Sequence, residues 1–292
     1  MKTLHLILIA GALLWGVAAQ GARVESYPVS AVRLTPSPFD DARRMDIRYL
    51  LALDPDRLLA PYLREAGLTP KAPTYTNWED TGLDGHIGGH YLSALSYMYA
   101  ATGDDEIKHR LDYMLAELRR CQDAAGDGYL CGAPGGRRIW EEVSRGDIRA
   151  GAFSLNGGWV PLYNIHKIFA GLRDAWLQTG SEDARTMLID LTDWMERTVS
   201  GLTDRQIQQM LASEHGGLNE VFADVAAITG DDRYLTLARR FSHRTLLDPL
   251  LRGEDRLTGM HANTQIPKVI GFKRIADLTG DKAWDDAARL FW

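Results

Sequence analysis

The sequence predicts an all-α fold built from helical hairpins. The triplet Thr-Gly-Asp occurs at 102–104, 229–231 and 279–281, and Thr179-Gly180-Ser181 is a close variant. Each triplet separates two apolar runs with helical periodicity, and the glycines at 180, 230 and 280 are spaced by 50 residues. A fixed period of this size is typical of stacked supersecondary units. We therefore expect Gly to end each leading helix and Asp or Ser to cap each returning helix.

The composition agrees with a helical globular domain. Hydrophobic residues make up 45% of the chain and charged residues 25%, as in ordinary soluble domains. The 39 acidic residues outnumber the 33 basic ones, and the net charge of −6 argues against a nucleic-acid partner. The eleven prolines cluster early in the chain, which leaves the middle free to be helical.

Residues 1–19 have the features of a secretory signal peptide. Lys2 starts a short positive region, residues 6–14 are apolar, and Val17-Ala18-Ala19 offers small residues for cleavage. The apolar run is shorter than the roughly 18 residues of a membrane span. A retained N-terminal anchor is the alternative. We expect a secreted or periplasmic protein without membrane contact once the signal is removed.

Residues 20–38 are expected to be extended, and residues 39–292 are expected to form the helical domain. Pro28, Pro36 and Pro38 disfavour a helix in the first of these stretches. Asp40 or Asp41 can cap the helix that follows.

Four hairpins are expected in the helical domain. The first leading helix is expected to begin at His90, because Gly88-Gly89 disfavours a helix just before it. The other three leading helices are expected near 163–180, 221–228 and 269–278, each followed by a returning helix.

The stretch from Cys121 to Pro161 contains no convincing helix. Gly126-Asp127-Gly128 and Gly135-Gly136 are turn signals. A loop of this length inside a compact domain is usually functional, and it has room for a small hairpin. Cys121 and Cys131 could form a disulfide in an exported protein, or both could remain free thiols, and the sequence leaves both alternatives open.

The end of the chain predicts an incomplete barrel. The last helix runs into Phe291-Trp292 with no Gly, Pro or polar residue to end it. Two exposed aromatic rings on an apolar helix would leave a large unburied patch. We therefore expect a fragment of a longer protein, poorly soluble or partly unfolded by itself.

A binding site is expected where the loops lead into the leading helices. In a ring of helical hairpins these loops open at one end, and five of the eight histidines lie in them or in the first turns that follow. The candidate substrate-binding residues are His86, His90, His166, His261, Asn263, Glu214 and Trp78.

The tryptophans divide into two groups. Trp78, Trp140 and Trp159 are expected in loops, where an aromatic ring commonly stacks on a sugar. The remaining tryptophans of the helical domain, apart from the terminal one, lie at helical spacing and are expected in the core; they are Trp176, Trp194 and Trp284.

The plainer interpretations of these residues remain open. A single histidine at a helix start more often makes a structural hydrogen bond than a ligand contact. The spacing of His86 and His90 is that of a helical zinc pair, but the adjacent Glu of the metalloprotease motif is missing. Glu141-Glu142 is expected in a solvated loop. The sequence shows no serine nucleophile elbow, phosphate loop or dinucleotide fingerprint, so no catalytic or metal-binding residue is assigned.

Four segments resemble the β-L-arabinofuranosidase family of glycoside hydrolases, and the resemblance covers about residues 32–292 in the expected order. The last of them is the most specific. They are GHIGGHYLSA at 85–94, WVPLYNIHK at 159–167, EHGGLNE at 214–220 and HANTQIPK at 261–268.

The resemblance implies an (α/α)6 barrel followed by β-sandwich domains, and a substrate among arabinose-containing glycans. It also implies retaining hydrolysis of terminal β-L-arabinofuranosides. In the family, a cysteine nucleophile is held on zinc by Cys and Glu ligands, and a separate Glu is the acid/base. Those groups follow the position where this chain ends. Because Cys121 and Cys131 do not match them, neither the zinc ligands nor a nucleophile is expected in this chain.

The resemblance assigns sugar contact to residues that are present. His166 and His261 match family positions that line the sugar pocket, and His90 and Asn263 lie in matching motifs. Two other functions remain in competition. One is a non-catalytic carbohydrate-binding remnant, and the other is a different α/α-barrel enzyme such as a polysaccharide lyase.

Overall fold

A computed structural model describes residues 27–292, and the expected signal peptide lies outside these residues. The described part is mainly helical with very little sheet, as predicted. Its helices are α1 (Pro38–Ala52), α2 (Pro55–Glu65), α3 (His86–Thr102), α4 (Asp105–Ala125), α5 (Gly136–Ser144), α6 (Pro161–Thr179), α7 (Glu182–Val199), α8 (Asp204–Met210), α9 (Leu218–Thr229), α10 (Asp232–Arg240), α11 (Arg244–Leu251), α12 (Ala262–Thr279) and α13 (Lys282–Phe291). None of the helices within 27–292 is long and apolar enough to cross a membrane.

The repeated triplets end and begin helices as predicted. Gly103, Gly180, Gly230 and Gly280 follow α3, α6, α9 and α12, and each adopts a φ between 71° and 73° that favours glycine. The next residue caps the returning helix. Asp104, for example, accepts hydrogen bonds from the backbone N–H groups at positions 106 and 107. The Thr-Gly-Asp pattern is therefore a helix stop followed by a helix start.

The hairpins stand side by side in two layers. The leading helices α3, α6, α9 and α12 pack against one another in chain order, and the returning helices α4, α7 and α10 pack outside them. Large apolar side chains fill the space between the layers. Phe169, Phe222 and Phe241 meet edge to face, with ring centres 5.3 and 5.0 Å apart. Within residues 27–292 the barrel wall thus consists of four consecutive hairpins.

A pair of glycines brings α3 and α6 unusually close. A Cβ on Gly89 would lie 2.3 Å from the carbonyl carbon of Lys167, and a Cβ on Gly171 would lie 2.7 Å from the carbonyl oxygen of Gly89. The expectation that Gly88-Gly89 precedes the helix was wrong, since α3 begins at His86. The glycines lie inside the helix because its backbone touches the neighbouring helix there.

The stretch between Cys121 and Pro161 contains more structure than predicted. Helix α5 lies within it, and so do the short strands β1 (Ala150–Gly151), β2 (Ser154–Leu155) and β3 (Gly158–Trp159), which form an antiparallel sheet in that order. Trp140 was expected in a loop but lies buried on α5. Its ring meets that of Trp194 edge to face at 5.7 Å.

Other expectations about this stretch and the first helix also change. Glu142 is on α5, where it pairs with Arg138 and Arg149, so it is not in a solvated loop. Both cysteines are free and buried. Helix α1 begins at Pro38 with Ser37 as its cap, so neither predicted aspartate has that role.

Candidate active site

The candidate site lies at the amino-terminal ends of the leading helices. His86 and His90 occupy the first turns of α3, His166 the second turn of α6, and His261 the residue that caps α12. Glu214 comes from the loop before α9. Its backbone N–H donates to the carbonyl oxygen of Ala152 at 2.9 Å, so the small sheet fixes this loop.

The loop before α3 is held by one buried carboxylate. Glu79 accepts hydrogen bonds from the backbone N–H groups of Gly85 and Ile87 at 2.9 and 3.0 Å. His86 Nδ1 lies 2.6 Å from Glu79 Oε1 and 2.8 Å from the carbonyl oxygen of Leu83, so this nitrogen carries a proton that it donates. His86 is thereby fixed in orientation, and Glu79 has a structural role that the sequence did not reveal.

Glu214 lies among basic groups contributed by different hairpins. Burial raises the pKa of its carboxyl group, while the positive charges of Lys167, His261 and Lys268 lower it. Burial in turn lowers the pKa of both Lys167 and Lys268 to about 8, and the carboxylate of Glu214 opposes this change. A Cβ on Gly217, beside this loop, would lie 3.3 Å from His166 Nε2 on α6 and 3.6 Å from the carbonyl oxygen of Pro267 on α12. The start of α6, the loop before α9 and the start of α12 therefore converge, and we call the opening between them and the start of α3 the mouth.

His166 lies against the glycine pair of the EHGGLNE segment. A Cβ on Gly216 would lie 2.5 Å from His166 Nδ1, and a Cβ on Gly217 would lie 3.3 Å from His166 Nε2. Lys167 Nζ is 3.4 Å from His166 Nδ1. Burial, and then the charge of Lys167, lower the pKa of His166 well below its usual value. Its ring is therefore neutral at pH 7, with one nitrogen that donates and one that accepts.

His90 lies at the rim of the same mouth. The residue is partly accessible to solvent, although many protein atoms surround its ring. The ring centres of His90 and His86 are 6.3 Å apart. Burial, followed by the charges of Lys167 and His86, lowers the pKa of His90 to about 4. Lys167 therefore lies near both His90 and His166.

Trp78 and Trp159 both lie at the loop before α3, and Asn263 is exposed on α12. Trp78 is 59% exposed, and its ring centre is 6.3 Å from that of His86. A Cβ on Gly82 would lie 3.6 Å from Trp159 Cβ, which places Trp159 beside the loop before α3. Asn263 is exposed in the first turn of α12, and within residues 27–292 its side chain makes no hydrogen bond.

The sequence reasoning missed a buried basic group next to Glu214. Lys268 is 4% exposed, and its Nζ donates to Gln265 Oε1 at 3.0 Å and lies 3.1 Å from His243 Nδ1. His243 precedes the short helix α11 and is not in a loop that leads into a leading helix. Its ring is nevertheless 5.5 Å from that of buried His215. A lysine on an otherwise apolar helix face was the available signal for this cluster.

Glu220 was also missed as a polar group near His166. The position that a Cβ on Gly217 would occupy is 3.3 Å from both Glu220 Oε2 and His166 Nε2. Arg173 Nη1 holds the other oxygen of Glu220 at 3.2 Å and Asp224 at 3.1 Å. Burial raises the pKa of Glu220, and Arg173 lowers it. Gly217 is therefore flanked by one imidazole and one carboxylate.

The described residues do not fit a zinc ion. Among residues 27–292, no three His, Cys, Asp or Glu side chains are grouped so as to hold a metal. Burial raises the pKa of Cys121 and Cys131 to about 12. Zinc binds the thiolate form of cysteine, and both of these groups are neutral thiols at pH 7. No metal-dependent step is assigned to them.

The fold is similar to that of two solved glycoside hydrolase structures. One is a GH127 β-L-arabinofuranosidase from Geobacillus stearothermophilus, with a TM-score of 0.57 and 14% identity, covering 89% of this chain and 44% of that one. The other is the GH127 β-arabinofuranosidase BT3674, with a TM-score of 0.55 and 16% identity, covering 90% and 42%. This chain thus spans less than half the length of either structure.

The family is shown by the sequence itself. No curated protein sequence matches the chain significantly. The family model described as "Beta-L-arabinofuranosidase, GH127 catalytic domain" matches residues 31–292, which is most of the chain and includes every residue of the mouth. The chain belongs to the GH127 β-L-arabinofuranosidase family.

Proposed function

We propose that residues 27–292 form the sugar-binding wall of a glycosidase that removes terminal β-L-arabinofuranosyl groups from arabinose-containing glycans. The proposed sugar contacts are His90, His166 and His261, with Glu214 and Glu220 as further hydrogen-bond acceptors. The family membership supports the reaction class, and the mouth supports the binding role.

The single observation that carries the proposal is the convergence on Glu214 at the mouth. Lys167 comes from α6, and His261 and Lys268 come from the N-cap and the first half of α12, yet each of them alters the pKa of this one carboxyl group. A furanose carries several hydroxyl groups in different directions and needs donors and acceptors that converge. A neutral imidazole supplies both, and the low pKa of His90 and His166 keeps their rings neutral at pH 7.

The chemical step is proposed for the whole enzyme, by the family resemblance. By that resemblance the reaction would be hydrolysis with retention, with a cysteine as the nucleophile and a glutamate as acid and base. A zinc ion held by Cys and Glu ligands would keep that cysteine in the thiolate form. None of these roles is assigned to a residue within 27–292. Here the chain's own residues bind and orient the sugar, since positioning alone contributes strongly to rate.

The proposed location is outside the cytoplasm, secreted or periplasmic, because residues 1–19 have the features of a signal peptide. Export of the chain with loss of about 19 residues, measured by mass spectrometry of the mature protein, supports this location. Recovery of the full-length chain from the cytoplasm alone contradicts it.

Titration calorimetry with methyl β-L-arabinofuranoside tests the binding role. We expect saturable binding by the folded protein, a loss of at least about tenfold in affinity for His166→Ala, and no change for His109→Ala. His109 lies on the outer helix α4 and serves as the matched control. No heat from a folded sample, or equal loss in both variants, contradicts the proposal.

Product analysis of the whole enzyme separates the competing functions. Release of free arabinose supports hydrolysis. Binding without any release supports a non-catalytic remnant. Unsaturated products that absorb ultraviolet light indicate a lyase, and this outcome contradicts the proposed reaction.

A further inference from the structure

A cavity of about 280 Å³ lies beside the mouth, between α1, the start of α2 and the loop before α3. Three of the side chains that line it are aromatic, namely Tyr49, Tyr75 and Trp78, and we call this cavity the aromatic cleft. His86 lies between it and the mouth. The ring centres of Trp78 and His86 are 6.3 Å apart, and those of His86 and His90 are also 6.3 Å apart.

The loop that bears Tyr75 and Trp78 is held in place from both ends. Arg57 lies 3.9 Å above the Tyr75 ring and donates to the carbonyl oxygens of Pro73 and Thr74, both at 3.3 Å. The Tyr75 hydroxyl accepts a hydrogen bond from the backbone N–H of Asp54 at 2.9 Å. Together with the bonds to Glu79 described above, these contacts pre-form the cleft, which lowers the entropy cost of binding.

The cleft leaves aromatic surface open. Tyr49 is 64% exposed and Trp78 is 59% exposed. At the rim, Asn77 adopts the left-handed region with a φ of 70°, which asparagine tolerates better than most residues. Within residues 27–292, the side chains of Thr76 and Asn77 make no hydrogen bonds and are free to meet a ligand.

The charges around the cleft favour a neutral ligand. Glu79 is 3% exposed and already accepts from two backbone N–H groups and from His86. Arg57 is occupied with Tyr75 and two carbonyl oxygens. The groups left free to contact a ligand are the exposed rings of Tyr49 and Trp78 and the polar side chains beside them. A sugar is complementary to both, because its apolar C–H face can stack on a ring and its hydroxyl groups can hydrogen-bond to the polar side chains.

We propose that the aromatic cleft is a second sugar subsite, which binds the neutral sugar residue next to the terminal arabinofuranose held at the mouth. Its volume lies just below the range of about 300–1,000 Å³ for pockets that hold drug-sized ligands, as suits a single sugar ring. This inference rests on the proposed function, because it takes the mouth as the site of the terminal sugar.

Paired titrations test the subsite. The ligands are methyl β-L-arabinofuranoside, which fills only the mouth, and an arabinofuranosyl disaccharide, which reaches the cleft. We expect Trp78→Ala and Tyr49→Ala to weaken disaccharide binding by about 3- to 10-fold, and to leave methyl glycoside binding unchanged. Phe39→Ala is the matched control, because the Phe39 ring is 75% exposed and lies on α1 like Tyr49, at the opposite end of that helix. His166→Ala weakens both ligands.

The outcomes separate the two proposals. A disaccharide that binds no better than the methyl glycoside, or a Trp78→Ala variant that weakens both equally, overturns the subsite and leaves the proposed function standing. If neither ligand binds to the folded protein, the proposed function fails and the subsite fails with it. Circular dichroism of each variant establishes that the fold is retained.

Discussion

At the scale of single residues, Gly217 is the most informative position of the mouth. It lies between the side chains of His166 and Glu220. The backbone there has an ordinary φ of −103°, so alanine is tolerated conformationally. A methyl group would lie 3.3 Å from both His166 Nε2 and Glu220 Oε2, which is tighter than a normal contact.

We expect Gly217→Ala to reduce sugar affinity by at least about tenfold with little change in melting temperature, because the methyl group would crowd His166 and Glu220, two of the proposed sugar contacts. Gly201→Ala is the matched control, since a Cβ there would meet nothing within 4 Å. Calorimetry gives the affinity and thermal unfolding gives the stability. Unchanged affinity in Gly217→Ala would show that the sugar lies elsewhere.

A second residue-scale prediction concerns acid stability. Burial, and then the charge of Lys268, lower the pKa of His243 from 6.5 to about 4. Between these values the unfolded chain binds the proton and the folded chain does not. The contribution of His243 to the free energy of unfolding is therefore fully present above about pH 6.5 and is lost as the pH falls toward about 4.

Replacing His243 with glutamine removes its titration, so we expect a shallower fall in melting temperature between pH 6.5 and pH 4. His109→Gln, on α4, is the control and should follow the wild-type curve. Parallel curves for all three proteins would show that His243 does not titrate with the altered pKa.

At the scale of elements, the contact between α3 and α6 positions the histidines. Gly89 and Gly171 let the two backbones touch next to Lys167, and this contact sets the distance between His90 and His166. A Cβ at Gly89 would meet backbone atoms at 2.3 to 2.7 Å, and backbone cannot move aside as a flexible side chain does.

We expect Gly89→Ala to lower the free energy of unfolding by about 1–3 kcal/mol, the usual cost of overpacking. Gly171→Ala should act on the same contact, so the double variant should lose less than the sum of the two single losses. Chemical denaturation measures all three, with Gly201→Ala as the control. Additive losses would mean that the glycines act independently.

The elements also show where sequence reasoning succeeds and where it does not. The hairpins were predictable because Gly at a helix end and Asp at the next start are local signals. Helix α5 was missed because it has only nine residues and begins at Gly136, inside the Gly135-Gly136 turn signal. The start of α3 was misplaced because a glycine pair usually indicates the end or the absence of a helix. Here Gly89 lies inside the helix, because the backbone of α6 leaves no room for a side chain.

At the scale of the whole molecule, the candidate site was only partly predictable. His90, His166, His261 and Glu214 could be proposed from the sequence because their motifs precede or begin successive leading helices. Glu220 and His243 were missed because their neighbours come from other hairpins, and the spacing along the chain carries no trace of those contacts. The fold brings them to the mouth, and the sequence alone does not show this.

The central feature of the proposed function is that several hairpins bind one sugar together. The imidazole Cε1–H signals in nuclear magnetic resonance spectra report on each histidine separately. We expect methyl β-L-arabinofuranoside to shift the signals of His90, His166 and His261 with one common dissociation constant, and to leave that of His109 unchanged. Signals that all stay in place, or shifts confined to histidines outside the mouth, would contradict the account.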